Sequence, residues 1–413
     1  MRAGVVATQL AVAAAVLIGV SGCSKNSGSG ESGPVGTALT IYSSLPLQGP
    51  HATDAQAIIN GEKLALVKAG GRVGGFTVRY VSLDDSTAAS SGWDVRQAAK
   101  NARTAVQDRT AIAFLGDFDA GATAITLPTL NEASILQITP ATTLVGLTRE
   151  QGADKGEPDK YYPTGTRTFG RVIQPDDVQA AAQLELQRAH GCQTTYVLHD
   201  MEAYGKSLTD LLALMGPQQG QKIDDGNGID IDAKDFGDQA KKVAKAGADC
   251  LFFGGTSPAV AARLFTDVRA VVPTLQFFVP NLLATPEFAA ALAPEIAAAT
   301  HVTSPTLPAR LYPPAGRRFL RAYRKEFGPA AEGYAMYGYE AMNAALESIR
   351  LAGPKGNDKR TVAKAFFTIS NRHSILGTYS IDKNGDTTLR SYAAYGVNNG
   401  RLAFERVLHV PAT

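Results

Sequence analysis

The side chains best placed for chemistry fall between Phe114 and Thr148, in FLGDFDAGATAITLPTLNEASILQITPATTLVGLT. The stretch reads as a buried strand (Ala111–Leu115), a sharp turn at Gly116–Asp119, a helix, a second buried strand (Ile135–Ile138) and the loop Thr139–Thr143. Two strand ends and a helix N-terminus therefore meet at one place, where ligands of open α/β sheets sit. The unpaired N–H groups and partial positive charge of such a terminus suit a carboxylate. Thr143 could add a hydroxyl and its own N–H. The alternative is an ordinary β-α-β unit with nothing bound.

Other clusters point away from catalysis or metals. Asp84-Asp85 resembles a paired-carboxylate site, but with Ser86 and Thr87 it offers caps for the helix containing Trp93–Gln107. Asp382, Asn384 and Asp386 mimic the start of a calcium loop. They lack its glycine spacing and terminal Glu, which leaves a tight turn. There is no Gly-x-Ser-x-Gly elbow, no phosphate-binding loop, no His-Glu-x-x-His and no metal-spaced cluster. Neither enzyme activity nor a cofactor is expected. Cys192 and Cys250 each open an expected strand, Thr194–His199 and Cys250–Gly254. If those strands are parallel neighbours the thiols face each other and can bridge; otherwise they are two separate buried thiols. A redox or metal site is disfavoured, since there is no CxxC and His199 stands alone nearby.

The elements that must position these residues alternate along the chain. At 413 residues two lobes are the default, and a net charge of +2 gives no field suggesting nucleic acid. The first half reads as strands Leu39–Ser44 and Phe76–Leu83 with the helix Ala55–Lys68 between them. After the loop Arg149–Tyr162 the pattern restarts with a helix from Pro175-Asp176 to His190. A further helix ends at Met215, a polar turn covers Asp224–Gly228, and helices follow over Phe236–Ala246 and Pro258–Val271. Helices at Ala315–Phe327, Glu332–Ala352 and Lys359–Ile369 precede a hairpin of Tyr379–Ile381 with Ser391–Val397 about the turn Asp382–Asp386. The class is α/β, two lobes with strand ends facing a common gap.

The N-terminus sets the compartment. Arg2, an apolar run Val5–Val20 and Val20-Ser21-Gly22-Cys23 resemble a bacterial lipoprotein signal. Cleavage after residue 22 would leave Cys23 carrying lipid, and the Gly/Ser-rich residues 23–37 would tether a body outside the membrane. A plain secretory signal or a single membrane anchor are the alternatives.

Eight segments in a fixed order resemble the solute-binding proteins of branched-chain amino acid and amide ABC transporters, with the type I periplasmic-binding-protein fold. They are Leu45–Pro50 (LPLQGP), Asn60–Leu66 (NGEKLAL), Gly70-Gly71 with Gly74-Gly75, Asp84-Asp85, Thr139–Thr143 (TPATT), Leu198–Leu208 (LHDMEAYGKSL), Gly247–Gly255 (GADCLFFGG) and Gly377–Asp386 (GTYSIDKNGD). The resemblance runs from Leu39 to about Val407. It implies two Rossmann-like lobes with parallel-rich sheets joined by a three-strand hinge, crossed near Thr164–Thr166, His301–Ser304 and Leu376–Tyr379. Residues 38–165 with 302–376 would form one lobe, and 166–301 with 377–410 the other. It implies a lipid-anchored monomer on the extracytoplasmic face of the cell membrane. Such a receptor delivers a small polar solute to permease subunits after hinge closure. A sensory ligand-binding lipoprotein uncoupled from transport is the alternative.

Carried over residue by residue, the resemblance implies that Ala120 supplies only its N–H to a ligand carboxylate, that Thr143 adds its hydroxyl, and that Ala141 offers a carbonyl to an ammonium. Tyr204 matches the aromatic that closes from the second lobe, and Thr256 and Ser257 stand where aromatics are frequent. Asn281 occupies a position where amino-acid binders place an acid. Asp54, Asp117 and Asp119 instead bring acids to the first-lobe side, where the alternatives are a solvated rim for Asp54 and Asp117 and a helix cap for Asp119. The solute is therefore either read at its positive group from the first lobe or is itself polar or cationic.

Overall fold

A computed structural model describes residues 36–411 except Ser91 and Ala330. The expected signal segment, Cys23 and most of the tether lie outside the described residues. Two sheets are present, each with helices against it. The first is built in chain order from β1 (Ala38–Leu45), β2 (Arg72–Val73), β3 (Phe76–Asp84), β4 (Ala111–Gly116), β5 (Leu136–Thr139) and β6 (Phe169–Arg171), in the spatial order β2-β3-β1-β4-β5-β6. The second begins with β7 (Thr194–His199), β8 (Lys222–Gly228), β9 (Cys250–Gly254), β10 (Gln276–Val279) and β11 (Thr300–Ser304). A short ladder, β12 (Arg372–His373) with β13 (Thr378–Tyr379), precedes β14 (Ser391–Asn398) and β15 (Arg401–His409), which complete the second sheet in the order β15-β14-β11-β10-β9-β7-β8.

The central strands are parallel and buried on both faces, so they are runs of apolar residues with no alternation; β4 (AIAFLG) and β9 (CLFFG) are buried at every position. Helices fill the crossovers: α1 (Ala52–Lys68), α2 (Val95–Gln107), α3 (Ala120–Glu132), α4 (Asp176–Ala189), α5 (Ala203–Met215), α6 (Gly237–Lys245), α7 (Pro258–Val271), α8 (Pro286–Ala291) and α9 (Pro294–Ala297). Three late helices, α10 (Pro314–Phe327), α11 (Glu332–Ala352) and α12 (Lys359–Phe366), return to the first sheet, where Met336, Met342, Val362 and Phe366 join the core of Leu39, Ile41 and Leu115. Helix α11 lies directly on α1. A Cβ at Gly61 would stand 2.0 Å from the Ala335 carbonyl oxygen and one at Gly338 2.2 Å from that of Ile58, so only glycine permits this approach.

Four expectations are corrected here. Residues 224–228 are not a turn but most of β8, a parallel edge strand beside β7. An edge strand left partly open to solvent needs no apolar run, which hid it. The partner of Ser391–Asn398 is not Tyr379–Ile381 but Arg401–His409, paired about Asn399-Gly400, where both residues have positive φ, 50° and 69°. The turn at Asp382–Asp386 closes only the single bridge Ile381–Thr387. Third, Asp94, not the Asp84-Asp85 pair, caps α2, its carboxylate accepting from Gln97 N at 2.9 Å. Asp84 instead accepts from Leu47 N at 3.0 Å and steadies the loop after β1. Finally, the first and third passages between lobes come later than expected. Phe169–Arg171 still pairs with Gln137–Thr139, so the chain leaves the first sheet after Arg171. It leaves the second after Ser304, and Tyr379 and Ile381 still sit in the first core.

Strands β7 and β9 are parallel neighbours, and Cys192 and Cys250 are joined by a disulfide with Cα atoms 5.7 Å apart. The bridge closes a sequence separation of 58 residues. The double variant Cys192→Ser, Cys250→Ser is expected to lose about 2–4 kcal/mol in urea unfolding. Equal stability with and without reductant in the parent protein would show that the bond contributes nothing.

Candidate functional site

A cleft of about 490 Å³ opens between the two lobes, at the carboxyl ends of strands of both sheets. Eight sequence-predicted residues line it: Asp119, Ala120, Ala141, Thr143, Tyr204, Thr256, Ser257 and Asn281. Asp54 and Asp117 do not.

The first-lobe wall is a rigid loop facing a helix end. Thr139 Oγ1 accepts from the amides of Ala141 (3.1 Å) and Thr142 (2.8 Å) and donates to the Asp117 carbonyl (2.8 Å). Thr142 Oγ1 lies 2.9 Å from both the Asp117 carbonyl and Thr123 Oγ1, tying the loop to α3. Beneath, the fully buried Arg171 guanidinium donates to the carbonyls of Thr142 (3.3 Å) and Leu144 (2.9 Å) and pairs with Asp386 at 2.8 Å. Asp386 also pairs with Arg149 at 2.9 Å, and Arg149 grips Asp177. Of the residues that mimicked a calcium loop, Asp386 thus anchors the Thr142–Leu144 loop through Arg171.

Asp119 occupies the N-cap position of α3 in extended conformation, yet its side chain makes no capping bond. Its Oδ2 is buried without any donor. Burial pushes the carboxyl up to about 6, His51 pulls it down and Glu202 from the opposite lobe pushes it up. The first-turn amides of Ala120 and Gly121 remain free beside it. Trp93 lies against Gly121, where a Cβ would stand 2.4 Å from its ring.

Asp117 is corrected from a ligand contact or solvated rim to a wholly buried residue beneath the cleft. It accepts from Thr126 Oγ1 (2.5 Å) and Gln137 Nε2 (3.2 Å). Burial and the neighbouring Asp119 push it up to about 7, and Asp85 behind it reaches about 9 through burial and the charges of Asp117 and Asp119. Asp54 stands behind His51, 3.8 Å from its Nδ1.

On the second-lobe wall, Tyr204 OH lies 2.5 Å from Asn281 Oδ1 and 3.2 Å from Gln179 Oε1. Asn281 Nδ2 donates across the gap to Tyr334 OH on α11, at 3.3 Å. Thr256 gives its amide and hydroxyl to Asp200 (3.1 and 3.3 Å), and Ser257 caps α7 through Val260 N. Their polar atoms therefore serve the fold. Sequence reasoning missed the lining residues His51, Phe118 and Trp93, and Tyr334 packed behind them. The rings of Phe118 and His51 stack at 4.9 Å, and Tyr334 lies 5.5 Å from Phe118. Glu202 and Asp232 add acids to the lining, while the guanidinium of Arg263 is taken by the carbonyls of Ile231 and Ala233.

The profile of a family described as periplasmic binding protein matches residues 40–401. Among curated proteins, "Leu/Ile/Val-binding protein homolog 1" of Brucella abortus is 27% identical over 359 residues, covering 86% of this chain and 89% of its own length. "Amino acid binding protein" of Pseudomonas aeruginosa is 26% identical over 353 residues, covering 85% and 87%. The crystal structure of a leucine-binding protein from Thermotoga maritima superposes with a TM-score of 0.75 at 20% identity, over 90% of this chain and 99% of that one. A solute-binding protein of an ABC transporter from R. palustris, in complex with benzoate, superposes at 0.71 and 16% identity, over 90% and 96%.

Proposed function

Because the chain belongs to the periplasmic binding protein family, we propose that it is the extracytoplasmic receptor of an ABC importer, monomeric and held to the cell membrane by lipid at Cys23. It captures a small polar zwitterion, an amino acid or a related amide, and presents it to permease subunits. The observation that carries the ligand class is Asp119: a buried carboxylate oxygen without a donor, beside free amides at the start of α3. A buried carboxylate left unpaired is costly, so it marks a place for a cation. The adjacent amides and Thr143 take the ligand carboxylate, while Phe118, His51 and Trp93 shape the apolar side. Arrangement of both charges on one lobe lets the second lobe close over the solute through Tyr204 and Asn281. The amino-acid names borne by relatives support the same class.

The test is a thermal-shift screen over amino acids, amides, polyamines and small carboxylates. A ligand at a hundred times its Kd stabilises by about 2.7 kcal/mol. Asp119→Asn should weaken an ammonium-bearing ligand by about tenfold or more, the loss of one charge-assisted bond, and leave a ligand lacking the ammonium unaffected. With Asp119 protonating near 6, affinity of the parent for an ammonium-bearing solute should fall as pH drops through that value. Equal affinity in Asp119→Asn, or stabilisation only by anions, would overturn the zwitterion reading. For the anchor, Cys23→Ala should release the protein from the membrane fraction.

A further inference from the structure

On the second lobe, away from the cleft, three residues far apart in sequence converge. The ring of His301 on β11 and that of His190, the residue that ends α4, lie with centroids 3.6 Å apart. Glu405 of β15 reaches both rings, its Oε1 3.2 Å from His301 Nδ1 and its Oε2 3.5 Å from His190 Nε2. One ligating atom from each residue lies within 4.8 Å of the others.

The fold builds this cluster deliberately. Glu405 is the extra residue of a β-bulge: Ala394 pairs with Arg406 and Tyr395 with Phe404, so nothing pairs with Glu405. Bulges re-aim side chains, and this one sends a carboxylate across β14. Its path crosses Gly396, the direct partner of His301, where a Cβ would stand 2.7 Å from Glu405 Oε1. Absence of a side chain at Gly396 therefore lets the carboxylate reach the imidazole.

His301 Nε2 lies 3.2 Å from Gln276 Oε1 and its Nδ1 3.2 Å from Glu405 Oε1. With the proton on Nε2, shared with Gln276, Nδ1 presents its lone pair beside the carboxylate, and a cation bound by both satisfies the pair. An outer partner that orients a ligating imidazole in this way is the usual second layer of a metal site. His190 and Glu405 are each about a quarter exposed, 29% and 28%, which leaves an entry path for an ion.

We propose that His190, His301 and Glu405 bind a borderline transition-metal dication, with zinc as the best match. Two imidazole nitrogens and one carboxylate oxygen are a zinc donor set, and three protein ligands leave a fourth position for water.

The test uses untagged full-length protein, stripped with chelator and titrated with zinc chloride in equilibrium dialysis. One zinc per chain is expected, with a higher Tm in its presence. His190→Ala and Glu405→Gln, both at partly exposed positions, should each weaken binding by about tenfold or more, and His373→Ala should not. Cobalt in place of zinc should give visible bands of a low-coordinate site, lost in His190→Ala. Failure of the parent protein to retain zinc, or unchanged affinity in both cluster variants, would overturn the assignment.

Discussion

Asp386→Ala is expected to destabilise the protein by about 3–5 kcal/mol, the cost of leaving a buried charge without its partner. Arg171 is fully buried, and among the described residues Asp386 is the carboxylate that pairs with it, 2.8 Å away. The same carboxylate holds Arg149 at 2.9 Å and accepts from Thr148 Oγ1 at 3.1 Å. Burial alone would push Asp386 up; Arg171 and Arg149 pull it back down. Without it, two guanidiniums are left close together with only carbonyls, Thr148 and Asp177 as partners. Asp386→Asn keeps the shape and cancels the charge, so it should fall between the parent and the alanine variant in urea unfolding. Because Arg171 supports the carbonyls of Thr142 and Leu144, the alanine variant should also bind solute more weakly. A loss under about 1 kcal/mol would mean that the pair is no better than a surface salt bridge.

Glu62→Gln is expected to remove one separable component of the pH dependence of folding. Glu62 is fully buried on α1, where Tyr80 OH donates to it at 2.5 Å and its other oxygen has no partner. Burial pushes its carboxyl up to about 8, against the pull of Tyr80 and Ser43. Folding therefore takes up a proton between the unfolded and folded values of Glu62. The folded state binds more protons than the unfolded one between about pH 4.5 and 8, so stability is greatest at the acidic end and falls as pH rises. At roughly 1.4 kcal/mol per pH unit, this group alone costs on the order of 3 kcal/mol between pH 5 and pH 8. Glutamine keeps the shape without the charge. The variant should be more stable than the parent at pH 8 and nearly equal at pH 5. Parallel curves for the two proteins would show that Glu62 folds ionised.

The central strands were legible in the sequence for a physical reason. Strands buried on both faces carry apolar runs with no alternation, so Ala111–Leu115 and Cys250–Gly254 stood out. Edge strands carry no such constraint. Asp224–Gly228, most of the edge strand β8, reads as a polar turn, and the strand Arg401–His409 carries no apolar run although Asn399-Gly400 offers the same tight-turn signal as Asn384-Gly385. Cleft residues on the Thr139–Thr143 loop and at the start of α3 were legible because helix ends and strand tips announce themselves locally. The direction of a side chain there was not: Asp117 and Asp119 are two residues apart, yet one faces inward to Gln137 and the other keeps an unpartnered oxygen at the cleft. The ring cluster of His51, Phe118 and Tyr334, two of which line the cleft, comes from three separate segments, which no spacing rule joins. His190, His301 and Glu405 share no motif either. Only a bulge and a glycine bring them together.

The second sheet takes two of its seven strands from Ser391–His409, and β11 has β14 as one of its two neighbours. A polypeptide delivered amino end first therefore holds β11 as an open, hydrogen-bond-hungry margin until its last stretch arrives. Neither half can mature alone, since the first sheet likewise waits for helices near residues 314–366. Premature termination anywhere past the hinge would yield not a shorter receptor but an unfinished, sticky one, a natural substrate for quality-control proteases.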